Sequence, residues 1–185
     1  MKPKPPEPVD EYKYIVPDTV MVVPVNRRTR TRVNARHGTQ VLIIDDSPVI
    51  VASLGKALRS ANYLVLEATN AESGLELARS ERPNLIFMDI MLPGMNGFSA
   101  LRKIRRDVDL VDIPVIMISG NEKAIEYFFS NRVNADDFMK KPFSREEIFA
   151  RIERLLDKSR VPRRPIVTDG FDKVPLTHPT SELVS

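Results

Sequence analysis

Polar side chains that could do chemistry stand at the ends of short aliphatic runs in this 185-residue chain. Asp45 and Asp46 follow one run, Asp89 and Ser119 each follow another, and Lys141 closes a weaker run. In open α/β folds, ligands bind at the C-terminal edge of a parallel sheet. Acids, a hydroxyl and an ammonium gathered at that edge therefore predict chemistry on a phosphoryl group.

The residue types assign roles within such a site. Three carboxylates placed close together cannot all stay ionised without a cation, and Mg²⁺ prefers oxygen ligands completed by water. A carboxylate that attacks phosphorus yields an acyl phosphate, so one acid is the nucleophile and the others hold metal. The central, isolated Asp89 is the candidate nucleophile. The lysine adds a second positive charge beside the phosphoryl oxygens, and the serine donates a hydrogen bond to the transferred group.

Each position also has a purely structural interpretation. Asp45 and Asp46 precede Ser47 and Pro48, so they could simply place negative charge at a helix N-terminus. Asp89 could be a turn carboxylate, and most lysines are solvated surface residues. The joint occurrence of these residues at successive strand ends favours the site.

The elements that position these residues follow from the hydrophobic pattern. Short β-type runs alternate with helical patterns, which predicts a parallel sheet covered on both faces. The predicted strands lie at 41–44, 64–66, 85–88, 115–118 and, more weakly, 137–140. Predicted helices run from a Ser47 cap to about Asn62, from a Thr69 or Asn70 cap, from Gly97, over 122–131, and from a Ser144 capping box to about Lys158.

Composition excludes several classes of protein. Apolar residues make up 42% of the chain and charged residues 29%, as in a globular domain. The chain has no cysteine, which excludes disulfides, thiolate metal sites and thiol catalysis. No apolar run reaches the 18 or so residues of a spanning helix, and no signal peptide is evident. We expect a cytoplasmic protein without membrane insertion.

Proline and charge divide the chain into three parts. Of its 15 prolines, six precede residue 40 and four follow residue 158. Residues 1–39 form a proline-rich, basic extension that we expect to be flexible, with a possible strand at Val20–Val23. Residues 40–158 form the predicted domain, and residues 159–185 a C-terminal tail.

Four motifs carry a family resemblance. They are Val41-Leu42-Ile43-Ile44-Asp45-Asp46-Ser47, Met88-Asp89-Ile90-Met91-Leu92-Pro93-Gly94-Met95-Asn96-Gly97, Pro114-Val115-Ile116-Met117-Ile118-Ser119-Gly120 and Lys140-Lys141-Pro142-Phe143. Residues 41–157 resemble the receiver domain of bacterial two-component response regulators. The resemblance implies a doubly wound, flavodoxin-like (βα)5 fold with five parallel strands in the order 2-1-3-4-5, flanked here by irregular N- and C-terminal extensions.

The resemblance also implies a phosphorylation site. Asp89 would accept a phosphoryl group from a histidine kinase or phosphotransfer protein and become a 4-aspartylphosphate. Asp46, Asp89 and the main-chain carbonyl of Met91 would hold Mg²⁺, with Asp45 acting largely through water. Lys141 would contact the phosphoryl group, and its bond to the following proline is expected to be cis.

Switching is implied in the same way. Ser119 would move toward the phosphoryl group while the aromatic residue Phe138 turns inward. Phe138 departs from the commoner tyrosine of the family. The output surface would comprise the fourth helix, fifth strand and fifth helix, and would bind a downstream effector protein or form a phosphorylation-dependent homodimer.

Other functions remain as alternatives. An aspartyl-phosphate phosphatase usually carries a second aspartate two positions after its nucleophile, where this chain has Met91. We therefore expect a signalling switch, with at most self-phosphorylation and self-dephosphorylation at Asp89, and expect Met91 to slow hydrolysis of the acyl phosphate. A phosphorylation-independent scaffold is another interpretation. Nucleic-acid binding through the basic segment Asn26–His37 is less favoured, because short charge runs are usually solvated.

Overall fold

Five strands and five helices alternate along the residues that the computed structural model describes, 33–131 and 133–165. The elements are β1 (Gln40–Ile44), α1 (Pro48–Arg59), β2 (Leu64–Ala68), α2 (Ala71–Glu81), β3 (Leu85–Asp89), α3 (Gly97–Arg106), β4 (Val115–Ser119), α4 (Glu122–Ser130), β5 (Asp137–Lys140) and α5 (Arg145–Arg154). Among these helices, none has the length and apolar character needed to cross a bilayer. The possible strand at Val20–Val23, the basic run up to Arg32 and the tail from 166 lie outside the described residues.

All five strands are parallel, as the hydrophobic pattern predicts, and lie in the order β2-β1-β3-β4-β5, as the resemblance implies. The chain reverses its direction of winding between β1 and β3, so these two neighbouring strands flank the switch point where ligands bind in such sheets. Ile44 pairs with Met88, Asp89 with Ile118, and Ser119 with Lys140. The C-terminal ends of β1, β3, β4 and β5 thus lie side by side.

Helices cover both faces of the sheet. The side chains of β1, β3 and β4 are almost entirely buried, which explains why these strands read as continuous apolar runs and not as alternating ones. On one face, α1 and α5 pack on the sheet through residues such as Leu54, Leu58 and Ile152. On the other face, α2, α3 and α4 pack through residues such as Leu75, Leu101 and Ala124.

Side-chain caps fix where four of the helices begin. Asn70, Asn96, Asn121 and Ser144 each accept a hydrogen bond from the backbone N–H three residues later, at 2.8–3.1 Å. Ser47 has the extended backbone of a cap, but its side chain makes no capping hydrogen bond. The first helix ends at Arg59, earlier than predicted, and Asn62 beyond it has a positive φ of 64°.

Residues beyond the predicted domain boundaries at 40 and 158 make backbone hydrogen bonds, both with each other and with the domain. Arg36 N–H donates to the Arg160 carbonyl at 2.8 Å, and Arg163 N–H donates to the Leu155 carbonyl at 2.8 Å. Residues 159–165, which we call the C-terminal strap, also form an antiparallel bridge between Pro162 and Leu156. The boundaries at 40 and 158 stay a prediction, and the packed backbone extends past both.

Candidate functional site

Three carboxylates gather at the C-terminal edge of the sheet. Asp45 directly follows β1 and is fully buried, Asp89 ends β3 and is 4% exposed, and Asp46 is exposed. One carboxylate oxygen from each residue lies within 4.8 Å of the other two. The structure therefore brings together the three acids that the sequence singled out, with one of them open to solvent.

Lys141 supplies the positive charge beside these acids. Its Nζ lies 2.7 Å from Asp45 Oδ2 and 3.1 Å from Asp89 Oδ2. The Lys141–Pro142 peptide bond is cis, as predicted from the resemblance. Lys140 is exposed, so Lys141 is the lysine that the structure places at the acids.

Burial and neighbouring charges shift the pKa values of Asp45 and Lys141 in opposite directions. Burial raises the pKa of Asp45, and the Lys141 ammonium and the Ser47 N–H offset only part of that shift. Burial alone would lower the pKa of Lys141, but its contacts with Asp45 and Asp89 outweigh that effect and leave the pKa raised. The lysine therefore stays charged, and its single charge does not balance three carboxylates.

The donor set fits a hard divalent cation. All three side chains offer oxygen, the ligand type that Mg²⁺ prefers, and the exposed Asp46 leaves room for water in the coordination shell. Asp45 Oδ2 is buried and, despite its ion pair with Lys141, makes no contact with hydrogen-bond geometry. Asp137 Oδ2 at the opposite edge of the sheet is in the same condition, so what favours a cation here is the excess of three carboxylates over one ammonium.

Ser119 closes β4 next to the acids. Its side chain is fully buried, and its Oγ accepts a hydrogen bond from the Asn121 N–H at 3.1 Å. Its carbonyl accepts from the Lys141 N–H at 2.9 Å, which ties the serine to the lysine through the backbone. Because the Ser119 oxygen is the acceptor in this contact, the hydroxyl hydrogen is not used by Asn121.

The loop after β3 forms one wall of the site. Gly97 starts α3 directly over the strand end: its N–H donates to the Ile90 carbonyl at 3.0 Å, and a Cβ here would clash with the Asp89 carbonyl oxygen. Met91 lies in this loop, two residues after Asp89, and is 54% exposed. It lines a cavity of about 560 Å³ together with Asn121.

Phe138 in β5 lies in an aromatic cluster that the sequence analysis did not predict. Its ring is 6% exposed, with centroids 4.8 Å from Phe128 and 5.4 Å from Phe129, both on α4. The ring is thus already buried in this conformation. The adjacent Phe128 and Phe129 in the predicted fourth helix are the sequence feature that could have indicated this cluster.

A second polar cluster that the sequence analysis missed lies at the opposite edge of the sheet. The Asp136 carboxylate, just before β5, pairs with Arg105 at 2.6 Å and with Arg164 at 2.9 Å, and accepts the Val115 N–H at 2.7 Å. Burial lowers the pKa of Arg105 to about 10, although Asp136 opposes the shift. Spacing gives no clue to this cluster, because its members are separated by 31 and 28 residues.

The comparisons with known proteins agree with this geometry. Residues 41–153 match the response regulator receiver domain family. The chain is 35% identical over 117 residues to the protein PilH of Pseudomonas aeruginosa, covering 63% of this chain and 97% of PilH. It is 34% identical to the phosphate regulon transcriptional regulatory protein PhoB of the same species, covering 76% of this chain but 62% of PhoB.

Solved structures show the same fold. The chemotaxis response regulator CheY4 of Vibrio cholerae has a TM-score of 0.59 and 26% identity, covering 63% of this chain and 98% of CheY4. The receiver domain of the sensor histidine kinase PA1611 from Pseudomonas aeruginosa, which holds a magnesium ion in its active site cleft, has a TM-score of 0.57 and 30% identity over 63% of this chain and 95% of that one. The family match spans more than half of this chain, which therefore belongs to the response regulator receiver domain family, a family of signalling switches.

Proposed function

We propose that the protein is a phosphorylation-dependent response regulator whose phosphoacceptor is Asp89. The observation that carries the proposal is the placement of the Asp89 carboxylate. It lies almost buried at the end of β3, 3.1 Å from Lys141 Nζ and within reach of two further acids. A carboxylate held between a cation and candidate metal ligands is positioned to accept a phosphoryl group.

The transfer step uses Asp89 as the nucleophile. A carboxylate oxygen attacks the phosphorus of a phosphohistidine on a histidine kinase or phosphotransfer protein. A P–O bond forms as the P–N bond breaks, and the departing imidazole keeps the electron pair and takes up a proton. Asp89 becomes an acyl phosphate, and Lys141 balances part of the charge that accumulates on the phosphoryl oxygens.

The acids around Asp89 serve a divalent metal. Asp46, Asp89 and the main-chain carbonyl of Met91 would hold Mg²⁺, with Asp45 acting largely through water. When bound, Mg²⁺ neutralises charge on the phosphoryl oxygens during transfer. Asp45 also holds Lys141 in place through its 2.7 Å contact, so it orients the cation that faces the phosphoryl group.

Ser119 and Phe138 transmit the modification to a partner. The Ser119 hydroxyl can donate to a phosphoryl group on Asp89, and a movement of Ser119 toward that group would stretch its contact with the N–H of Asn121, the residue whose side chain caps α4. Because Phe128 and Phe129 of α4 pack on Phe138, a shift of α4 changes the cover of this ring. The surface formed by α4, β5 and α5 would then bind a downstream effector protein.

Intact mass spectrometry tests the phosphoacceptor. The protein is incubated with acetyl phosphate and Mg²⁺, and we expect it to gain the mass of one phosphoryl group. The isosteric variant Asp89→Asn should gain none, whereas Asp109→Asn, which removes an exposed carboxylate elsewhere, should behave as the wild type. Equal phosphorylation of the Asp89→Asn and wild-type proteins would disprove the assignment.

Partner binding needs a separate test. Wild-type protein and Asp89→Asn, each treated with acetyl phosphate, are compared as bait for proteins from the source cell. A partner retained only by the phosphorylated wild type supports the switch. Binding of the same partner to both proteins would instead support a phosphorylation-independent scaffold.

A further inference from the structure

A continuous groove separates α3 from α4 on one face of the domain. It consists of a cavity of about 400 Å³ and a neighbouring one of about 560 Å³. Phe98, Arg102 and Tyr127 line both cavities, so the two join along the helices. We call this feature the α3–α4 groove.

The two ends of the groove reach different parts of the fold. One end is lined by Met91 and Asn121, beside the candidate phosphorylation site. The other end is lined by Asn131 and Asn134, close to the opposite edge of the sheet. The groove therefore extends along most of α4.

The lining of the groove is apolar at its floor and basic at its rim. The rings of Phe98 and Tyr127 lie 5.0 Å apart, and Tyr127 remains 49% exposed. The exposed side chains of Arg102, Arg106 and Lys123 border these rings. Such a surface suits a peptide that combines acidic side chains with apolar ones.

The C-terminal strap ends at the Asn134 end of this groove. The Arg164 guanidinium donates to Asn134 Oδ1 at 2.6 Å and to the Val111 carbonyl at 3.1 Å, and pairs with Asp136. Asn134 is itself part of the groove lining. The strap thus delivers residue 165 to the groove, with 20 residues of chain still to follow.

The composition of those 20 residues complements the groove. Segment 166–185 carries three acids against one lysine, a net charge of −2 with its histidine neutral. Two of the acids, Asp169 and Asp172, flank the aromatic Phe171 closely. Its length is also sufficient: the nine residues of α4 span roughly 14 Å, whereas 20 extended residues reach about 60 Å.

We propose that segment 166–185 binds in the α3–α4 groove of its own chain. Phe171 and its apolar neighbours contact Phe98 and Tyr127, and the acids Asp169 and Asp172 face the basic rim. Anchoring by Arg164 holds the segment at a high local concentration, so weak contacts suffice for occupancy. A bound segment would compete with any partner that uses this face of α3 and α4.

Thiol labelling in the full chain tests the proposal, since the protein has no native cysteine. Asn131→Cys places a reporter in the groove, and Val49→Cys places a control on α1, at a position that is 75% exposed. Each reporter is labelled with an uncharged maleimide in the wild-type background and with Asp169→Lys and Asp172→Lys added. In a third background, Arg102→Glu and Arg106→Glu in the groove rim are combined with the two segment substitutions, so that the charges of rim and segment are exchanged.

We expect the Asn131→Cys reporter to react about threefold faster when the segment is charge-reversed. A segment that occupies the groove about two thirds of the time leaves the thiol accessible for the remaining third, so its release triples the labelling rate. The four-residue charge swap should restore slow labelling, and the Val49→Cys rate should not change. Equal rates at Asn131→Cys in all backgrounds would overturn the proposal. Protection that rises with protein concentration would also overturn it, because a second copy would then be the occupant.

Discussion

The two edges of the sheet differ in how far their charged side chains balance one another. At the N-terminal edge, one carboxylate, Asp136, is matched by Arg105, Arg164 and a backbone N–H. At the C-terminal edge, three carboxylates share one ammonium. A polar cluster whose charges balance stabilises the fold, whereas an excess of carboxylates indicates a site for a cation.

The N-terminal edge should show the largest effect on stability. Asp136→Ala leaves the Arg105 guanidinium, whose side chain is 7% exposed, without its carboxylate. We expect the free energy of unfolding to fall by about 3–5 kcal/mol, the usual cost of breaking a buried pair. Urea denaturation of the wild type and the variant measures the difference.

Asp109→Ala is the matched control for that measurement. Asp109 pairs with Arg82 at 2.8 Å, but both side chains are more than half exposed. Its removal should cost less than about 1 kcal/mol. Equal losses in the two variants would show that the Asp136 cluster is no more important to the fold than a surface ion pair.

The C-terminal edge should respond to Mg²⁺, whereas the N-terminal edge should not. A cation that binds the folded acids adds stability by mass action, about 1–3 kcal/mol at Mg²⁺ concentrations between about 10 and 100 times the Kd. Thermal unfolding with Mg²⁺ and with chelator measures this gain. Asp46→Asn removes an exposed candidate ligand and should reduce the gain.

Asp109→Asn again provides the control, and should keep the full response to Mg²⁺. A gain that is the same in the wild type, Asp46→Asn and Asp109→Asn would assign the stabilisation to nonspecific screening. That outcome would also remove the distinction between the two edges, since the acids would then need no specific ligand.

The prediction for Met91 concerns the lifetime of the phosphoryl group at the C-terminal edge and not the stability of the fold. This apolar residue follows the acceptor by two positions and is 54% exposed, and we expect it to hinder water from attacking an acyl phosphate on Asp89. Met91→Asn should speed the loss of the phosphoryl group by about fivefold, equivalent to about 1 kcal/mol in barrier height. The decay of phosphorylated protein is followed by intact mass after removal of acetyl phosphate.

Val108→Asn serves as the control for the Met91 variant, because Val108 is 88% exposed and lies outside the site. Its decay rate should equal that of the wild type. Unchanged or slower decay in Met91→Asn would refute a shielding role for the methionine.

The same contrast explains how much of the molecule the sequence could predict. Strand-end residues such as Asp45 and Asp89 follow unbroken apolar runs, so both the sheet and its acidic edge could be read from local pattern. The Arg105–Asp136–Arg164 cluster could not, because its pairings join residues about 30 positions apart and no local pattern links them. The cover of Phe138 by α4 likewise depends on tertiary packing.

The smallest predicted effect concerns Asp157, which shapes the start of the C-terminal strap. Its Oδ1 accepts the N–H groups of Val161 at 3.0 Å and Ser159 at 2.8 Å. The Val161 contact contributes most to holding the pKa of Asp157 below its ordinary value of 3.8, and the Ser159 N–H and Arg163 add to it.

Because the folded pKa lies below the unfolded one, the ionised carboxylate favours the folded strap above the unfolded pKa. This contribution is lost as the pH falls through the folded pKa. Carboxyl NMR should show Asp157 titrating below an unfolded reference. In Asp157→Asn, the amides of Ser159 and Val161 should exchange faster than in the wild type at neutral pH, with the difference shrinking in acid. An equal difference at every pH would mean that the carboxylate orders the strap by shape alone and not by charge.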